Sequence, residues 1–417
     1  MTLNSKKQAY SEINAQSKQI WRLCSNVIKT RSENPPGDTA QVAAFLKEYL
    51  EKFGLSVRVY SPKKHLPNLV ASLGPRRGPS IVYNAHMDVY QAEMTTGRWK
   101  VPPFSGKLMN GKIFGRGAVD MKGGLSCIVS AMTVLRKHEG ELAGRATITL
   151  VSDEENMGKW GTEWLLENVK EVSNTNACLS PEPTAPRLIG IAEKGMLWLR
   201  LKAYGKSAHG AYPVQGENAI LKMCKAISLA QQLHGKKIQP PPELKNLIQG
   251  QKRYWGEIGI GILNDLLERI TINVSRIDGG RFIGLVPDFC QAEINTRTPP
   301  GERTDYVENA IKHLINEAGL DVEIEAFKKN QPYVTSPTEK IVSHAKRNVK
   351  EIIGRPTIVG ISIGGTDQWR FRKRGIPSVK YGPEAHNMGA ANEYVVAKEL
   401  IDVTKVHTGI VMDFLAA

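Results

Sequence analysis

Up to about Glu193, two spacings of apolar residues alternate along the chain, and together they predict an α/β layer architecture. Helical spacing runs from Gln8 to Lys29 through Ile13, Ile20, Leu23, Val27 and Ile28, and NPPGD at 34–38 punctuates its end. A second helix is expected next. Asp38 serves as its N-cap, Val42, Phe45, Leu46 and Leu50 form its buried stripe, and Gly54 stands where a C-terminal cap belongs. Short β-type runs follow at 57–60, 68–73, 80–85, 146–151 and 177–179. Several are apolar throughout, as strands buried on both faces of a mixed, mostly parallel sheet are. Between the third and fourth lies DMKGGLSCIVSAMTVLRKH, a stretch of helix length.

Beyond Glu193 the rhythm changes to long amphipathic strands, MLWLRLKAYG, RITINVSRI, DFCQAEINTR and DVEIEAFKK, with helices over 217–233 and 304–317. That βαββαβ-like order predicts a small α+β domain with one exposed sheet face, and PPP at 240–242 marks a loop within it. Alternation resumes after Pro337 and closes on a helix over 397–415. The expected organisation is a discontinuous α/β domain of residues 1–192 and 331–417, interrupted by an inserted α+β domain of residues 193–330.

A chain of 417 residues is long enough for two such cores. Its five cysteines are odd in number and scattered, which argues for reduced core residues rather than a disulfide framework. The N-terminus lacks the apolar stretch of a signal peptide, and no run approaches the roughly 20 apolar residues of a membrane span. A cytoplasmic protein with no membrane partner is expected. The net charge of +15 is spread along the chain, and its densest groups, KK at 63–64 and RFRKR at 370–374, are short. A solvated surface accounts for them, so no nucleic-acid partner is expected, and the charge favours a carboxylate-bearing substrate.

Ligand-grade residues end the apolar runs: His86 and Asp88 in SIVYNAHMDVY, Asp120, Glu154 with Glu155, Glu182 and His386. Each has an ordinary reading. His86 and Asp88 fit a polar strand end, Asp120 a helix N-cap, Glu154 and Glu155 a pair complementing a helix dipole, and His386 a surface loop. As a set they point elsewhere. Imidazole and carboxylate without thiolate is the donor chemistry of catalytic metal sites, and the ends of strands are where α/β sheets build them. His86 and Asp88 share a face if the strand continues through them, so Asp88 orients the imidazole that binds metal.

The strings HMDV, WKVPPFSGKLMNGKIFGRGAVDMKGG, SDEE, SPEPT, GKSAHGAYP, RTPPG, GGTD and AH with EYV resemble the M20 family of metallopeptidases in order over almost the whole chain. That group includes acetylornithine deacetylases, succinyl-diaminopimelate desuccinylases, aminoacylases and glutamate carboxypeptidases. The resemblance implies a zinc-hydrolase catalytic domain and a lid domain that makes a homodimer. It implies two divalent ions, zinc in the first place and cobalt or manganese as alternatives. His86, Asp120 and Glu182 would hold one ion and Asp120, Glu155 and His386 the other, with Glu154 as general base and a cis peptide after Asp120. His209 would stabilise the oxyanion in the partner subunit's site, Arg297 would clamp a substrate carboxylate, and Tyr212, Gly365 and Thr366 would contact substrate. Three departures stand out: Tyr90 and Gln91 in HMDVYQ, Gly284 where Asn is common, and Glu393 seven residues beyond His386.

The expected activity is hydrolysis of a C–N bond in an N-acyl amino acid or small peptide bearing a carboxylate. Hydrolysis of an aromatic amine or carbamoyl C–N bond is the alternative on the same scaffold. A basic scaffold with a vestigial site is the alternative from another class.

Overall fold

Runs apolar throughout become the strands Ser80–His86, Arg145–Val151 and Ala177–Ser180, in which almost every side chain is buried. Strands without a solvent face belong at the centre of a covered sheet. In the computed structural model, which describes residues 3–94, 98–156 and 158–416, that is where they lie. The eight-stranded sheet runs in the order Val57–Tyr60, Asn68–Leu73, Arg145–Val151, Ser80–His86, Ala177–Ser180, Ser378–Lys380, Leu188–Glu193, Ile358–Ser362. The central pairs are parallel, whereas the pairs of the first three strands and the pairing of Ser378–Lys380 with Leu188–Glu193 are antiparallel. Because the three central strands are parallel, His86, the 152–155 segment and Glu182 all emerge at one edge of the sheet.

The helix Lys122–Lys137 is buried from Lys122 to Leu135 and packs against the helices Ala397–Phe414 and Ser17–Lys29. Glycine permits its close approach: a Cβ on Gly124 would stand 2.0 Å from the Pro181 carbonyl oxygen. The stretch read as one helix over 8–29 is two, Leu3–Ala15 and Ser17–Lys29. Among the described residues no helix is long and apolar enough to cross a membrane. All five cysteines are free thiols; Cys224 is exposed, not part of the core.

The chain divides into two compact units, one comprising residues up to Ile191, Thr335–Gly360 and Thr366 onward, the other Ala192–Val334 with Ile361–Gly365. The second unit carries an antiparallel sheet in the order Thr271–Gly279, Phe289–Thr298, Gly195–Tyr204, Val322–Asn330. The helices Ala219–Gln231 and Thr304–Glu317 cover one face over a core that includes Leu199, Leu201, Met223, Ile294 and Ile311. One element departs from the sequence pattern. The PPP stretch read as a loop starts the helix Pro242–Glu257, whose Leu244, Ile248, Tyr254 and Trp255 are buried. A proline in the first turn lacks only an N–H that would have no partner there, so the third proline of PPP begins a helix instead of breaking one.

Candidate metal centre

His86 ends its strand with 2% exposure, and Asp88, two residues on, is fully buried. The His86 ring lies between two sets of neighbours. Its Nδ1 is 2.9 Å from the backbone oxygen of Asp88 and 3.5 Å from the Asp88 carboxylate, which turns Nε2 toward Asp120 Oδ1 at 3.2 Å and Glu182 Oε1 at 3.6 Å. Ligand atoms of His86, Asp120 and Glu182 all lie within 4.8 Å of one another.

Local backbone structure brings the carboxylates there. Asp120 does not cap the helix that follows it: the N-cap is Met121, without a side-chain cap bond, and the Asp120–Met121 peptide is cis. Glu182 packs tightly against a glycine, since a Cβ on Gly382 would stand 2.4 Å from the Glu182 carbonyl oxygen. Glu154 and Glu155 occupy a turn rather than a helix start. Their amides donate to Asp88, Glu154 N–H to Oδ1 at 3.2 Å and Glu155 N–H to Oδ2 at 3.0 Å. Asp153 before them has φ of +79°, a left-handed conformation that turns the chain after the strand.

The electrostatics of the group are those of crowded carboxylates. Burial, and then the charge of Asp120, push Glu182 and Glu155 well above the usual carboxylate range. Burial opposes a proton on His86, yet hydrogen bonds to Asp120 and Asp88 outweigh it and raise its pKa. Asp88 stays low despite burial because His86 and Asn34 favour its charged form. The Glu155 charge, then burial, raise the Tyr90 phenol. Glu155 Oε1 is buried without a hydrogen-bond partner. An imidazole, clustered carboxylates and an orphaned buried oxygen suit a divalent cation, which would compensate the crowded negative charge.

His386 stands apart from this group. Its ligand atom clusters with those of Glu384 and Glu399, its ring stacks on Tyr394 with centroids 4.6 Å apart, and burial lowers its pKa. Its Nε2 is buried without a hydrogen-bond partner. Among the described residues Asp120, Glu155 and His386 do not form a group of the same closeness.

Of the remaining predicted positions, His209, Tyr212, Arg297 and Gly365 belong to the second unit and Thr366 to the first. His209 is exposed; its Nδ1 accepts the Ala211 amide at 3.1 Å, and its ring lies 5.7 Å from that of Tyr212. Arg297 Nη1 lies 3.3 Å from where a Cβ on Gly365 would be, and glycine there leaves the guanidinium its room. Thr366 is 5% exposed, and its hydroxyl accepts the Gln368 amide.

Sequence reasoning missed Asn34. Read only as punctuation, it donates to Asp88 Oδ2 at 2.9 Å and Asp153 Oδ1 at 3.3 Å. An asparagine preceding two prolines was the available signal; both X–Pro bonds are cis, and the Asn34 backbone amide donates to the Val89 carbonyl at 2.9 Å.

Residues 82–413 match the model of peptidase family M20/M25/M40. The chain belongs to that family. It is 24% identical over 400 residues to a probable succinyl-diaminopimelate desuccinylase of Staphylococcus aureus (strain MSSA476), covering 93% of this chain and 96% of that protein. A succinyl-diaminopimelate desuccinylase of Methylorubrum extorquens is 28% identical over 407 residues, covering 94% and 97%. Among solved structures, an M20 family metallo-carboxypeptidase from Sulfolobus solfataricus superposes with a TM-score of 0.80 at 21% identity, covering 94% of this chain and 98% of that one. Human carnosine dipeptidase 1 gives 0.78 at 14% identity, covering 98% of each chain. These likenesses show the fold. Family and curated relatives together make this M20 chain a hydrolase, with metal-dependent amide hydrolysis as its general chemistry.

Proposed function

We propose that the chain hydrolyses the amide bond of an N-acyl amino acid or small peptide that carries a free carboxylate, using two divalent cations, zinc first. The observation that carries this reading is the convergence of His86, Asp120 and Glu182 at the ends of neighbouring strands, with Glu154 and Glu155 in the adjoining turn. His86, Asp120 and Glu182 would hold one ion; Asp120 and Glu155, with His386 from the later loop, would hold the other. When bound, the cations polarise the scissile carbonyl and lower the pKa of water toward neutrality.

The chain's own groups do the rest. Asp88 holds His86 through Nδ1 and fixes the amides of Glu154 and Glu155, so ring and acids keep one arrangement. Glu154 takes a proton from the attacking water and returns it to the leaving nitrogen. Arg297 binds the substrate carboxylate with its planar fork, beside Gly365. Tyr212 and Thr366 contact the substrate, and His209 of a second copy stabilises the oxyanion, so the working form is a homodimer formed through the second unit.

Tyr90 favours the second reading, an aromatic amine or carbamoyl substrate. It is 45% exposed, and its phenol lies beside Glu155, so it offers a ring face to a flat substrate. Product analysis on N-acetyl, N-succinyl, dipeptide, aromatic amide and carbamoyl substrates separates the two. Chelation is expected to abolish turnover and zinc, cobalt or manganese to restore it, while Glu154→Gln should lower kcat by about 10²- to 10⁴-fold. Full activity without metal, or undiminished turnover in Glu154→Gln, would defeat the proposal.

A further inference from the structure

Among the described residues the largest fully buried side chain is Arg116, a cation with 1% exposure. Its partner is Glu393, equally buried, with Arg116 Nη1 2.8 Å from Glu393 Oε2. Burying two charges is costly unless the remaining hydrogen-bonding capacity of each is used. Most of the other bonds go to defined places, while Arg116 Nε is buried without a hydrogen-bond partner. Glu393 Oε1 accepts the backbone amides of Val119 at 2.9 Å and Asp120 at 3.2 Å. Arg116 also donates to the carbonyl oxygens of Gly389 at 3.2 Å and Ala390 at 3.4 Å. Strand pairing of Tyr394–Val396 with Lys112–Phe114, and a bond from Gly115 N–H to the Glu393 carbonyl, bring the two residues together.

We infer that Arg116 and Glu393 are a positioning pair that aims the Asp120 carboxylate at His86 and Glu182. The pair touches no reacting atom. Glu393 holds the successive amides of Val119 and Asp120, which fixes the backbone from which the Asp120 side chain projects. Arg116 ties that same point to the loop after His386. The seven-residue separation of His386 and Glu393 follows: the chain between them bends so that two of its carbonyls meet the buried guanidinium. The inference rests on Asp120 as a metal ligand.

Cobalt(II) affinity, measured by competition with a chromophoric chelator, and the melting temperature of the metal-free protein test it in Glu393→Ala, Glu393→Gln and Arg116→Met. A control is Lys6→Met, which breaks a part-buried ion cluster of the same unit, from Lys6 to Glu351 and Asp413. Loss of an outer partner of a metal ligand typically weakens affinity by about 10- to 100-fold. That loss is expected in Glu393→Ala and Arg116→Met. Glu393→Gln keeps an acceptor oxygen for the two amides and should fall between Glu393→Ala and wild type. Lys6→Met should melt earlier yet bind cobalt as wild type does. If Glu393→Ala does not fold, Arg116→Met and Glu393→Gln decide. Wild-type affinity in every folded variant overturns the inference, as does weakening that only follows the melting temperature and appears equally in Lys6→Met. Failure of wild type itself to take up cobalt instead sinks the metal reading, and this inference with it.

Discussion

Asp88 shows how much one buried carboxylate can organise. Both oxygens accept hydrogen bonds, from the amides of Glu154 and Glu155 and from Asn34, and its backbone oxygen meets His86 Nδ1. Removing the least obvious of these donors tests the arrangement. In Asn34→Ala, Asp88 Oδ2 keeps the Glu155 amide but Asp153 Oδ1 loses its donor, and an unsatisfied buried acceptor costs about 1–3 kcal/mol. Urea unfolding should show that loss, and kcat should fall by about 10-fold as the acids lose their fixed arrangement. Unchanged kcat in a destabilised Asn34→Ala would reduce Asn34 to a structural role. The sequence named His86, Asp88, Asp120 and Glu182 because each follows an apolar run. It passed over Asn34 and Arg116 and noted Glu393 only as a displaced acid, because the partners of all three lie 54 to 277 residues away and leave no periodic trace.

Elements were most legible where the apolar spacing is regular. The runs 57–60 and 68–73 and the helix over 304–317 fall at the limits the pattern gave, because apolar spacing reports burial directly. Loops were least legible. The turn carrying Glu154 and Glu155 is shaped by Asp88 and by the left-handed Asp153, and the ligand atom of His386 groups with those of Glu384 and Glu399. Close packing of elements also bears on the site. Gly124, in the first turn of Lys122–Lys137, lies against the residue before Glu182, so Gly124→Ala would place a methyl 2.0 Å from the Pro181 oxygen. Overpacking of this kind costs about 1–3 kcal/mol, and here the displaced segment carries Glu182, a proposed ligand. The expected result is a lower melting temperature together with weaker metal uptake. A variant as stable as wild type, with unchanged uptake, would show that the helix does not set the position of Glu182.

At the scale of the molecule, length and the change of rhythm near Glu193 predict two cores, and the chain divides into two compact units. The core of the first unit holds a titratable group that the chemistry does not use. His407 is fully buried, and burial pushes its pKa down to about 4, against a bond to the Tyr381 carbonyl. An unfolded histidine takes up a proton near pH 6.5, whereas the folded one resists until about 4. The contribution is therefore whole above pH 6.5 and is lost as pH falls through 4, in total roughly 3 kcal/mol. Urea unfolding at pH 7 and pH 4.5 should show a smaller drop in His407→Gln than in wild type; equal drops would contradict the assignment.

Where the chain leaves the first unit and where it returns, Ile191 and Thr335 are joined: the Thr335 amide donates to the Ile191 carbonyl at 2.8 Å. The long excursion between them thus starts and finishes at a single doorway in the main sheet's unit. Insertions or deletions inside the excursion leave that doorway's width untouched, so the second unit is free to diverge in length and surface while the strands bearing His86 and Glu182 keep their register.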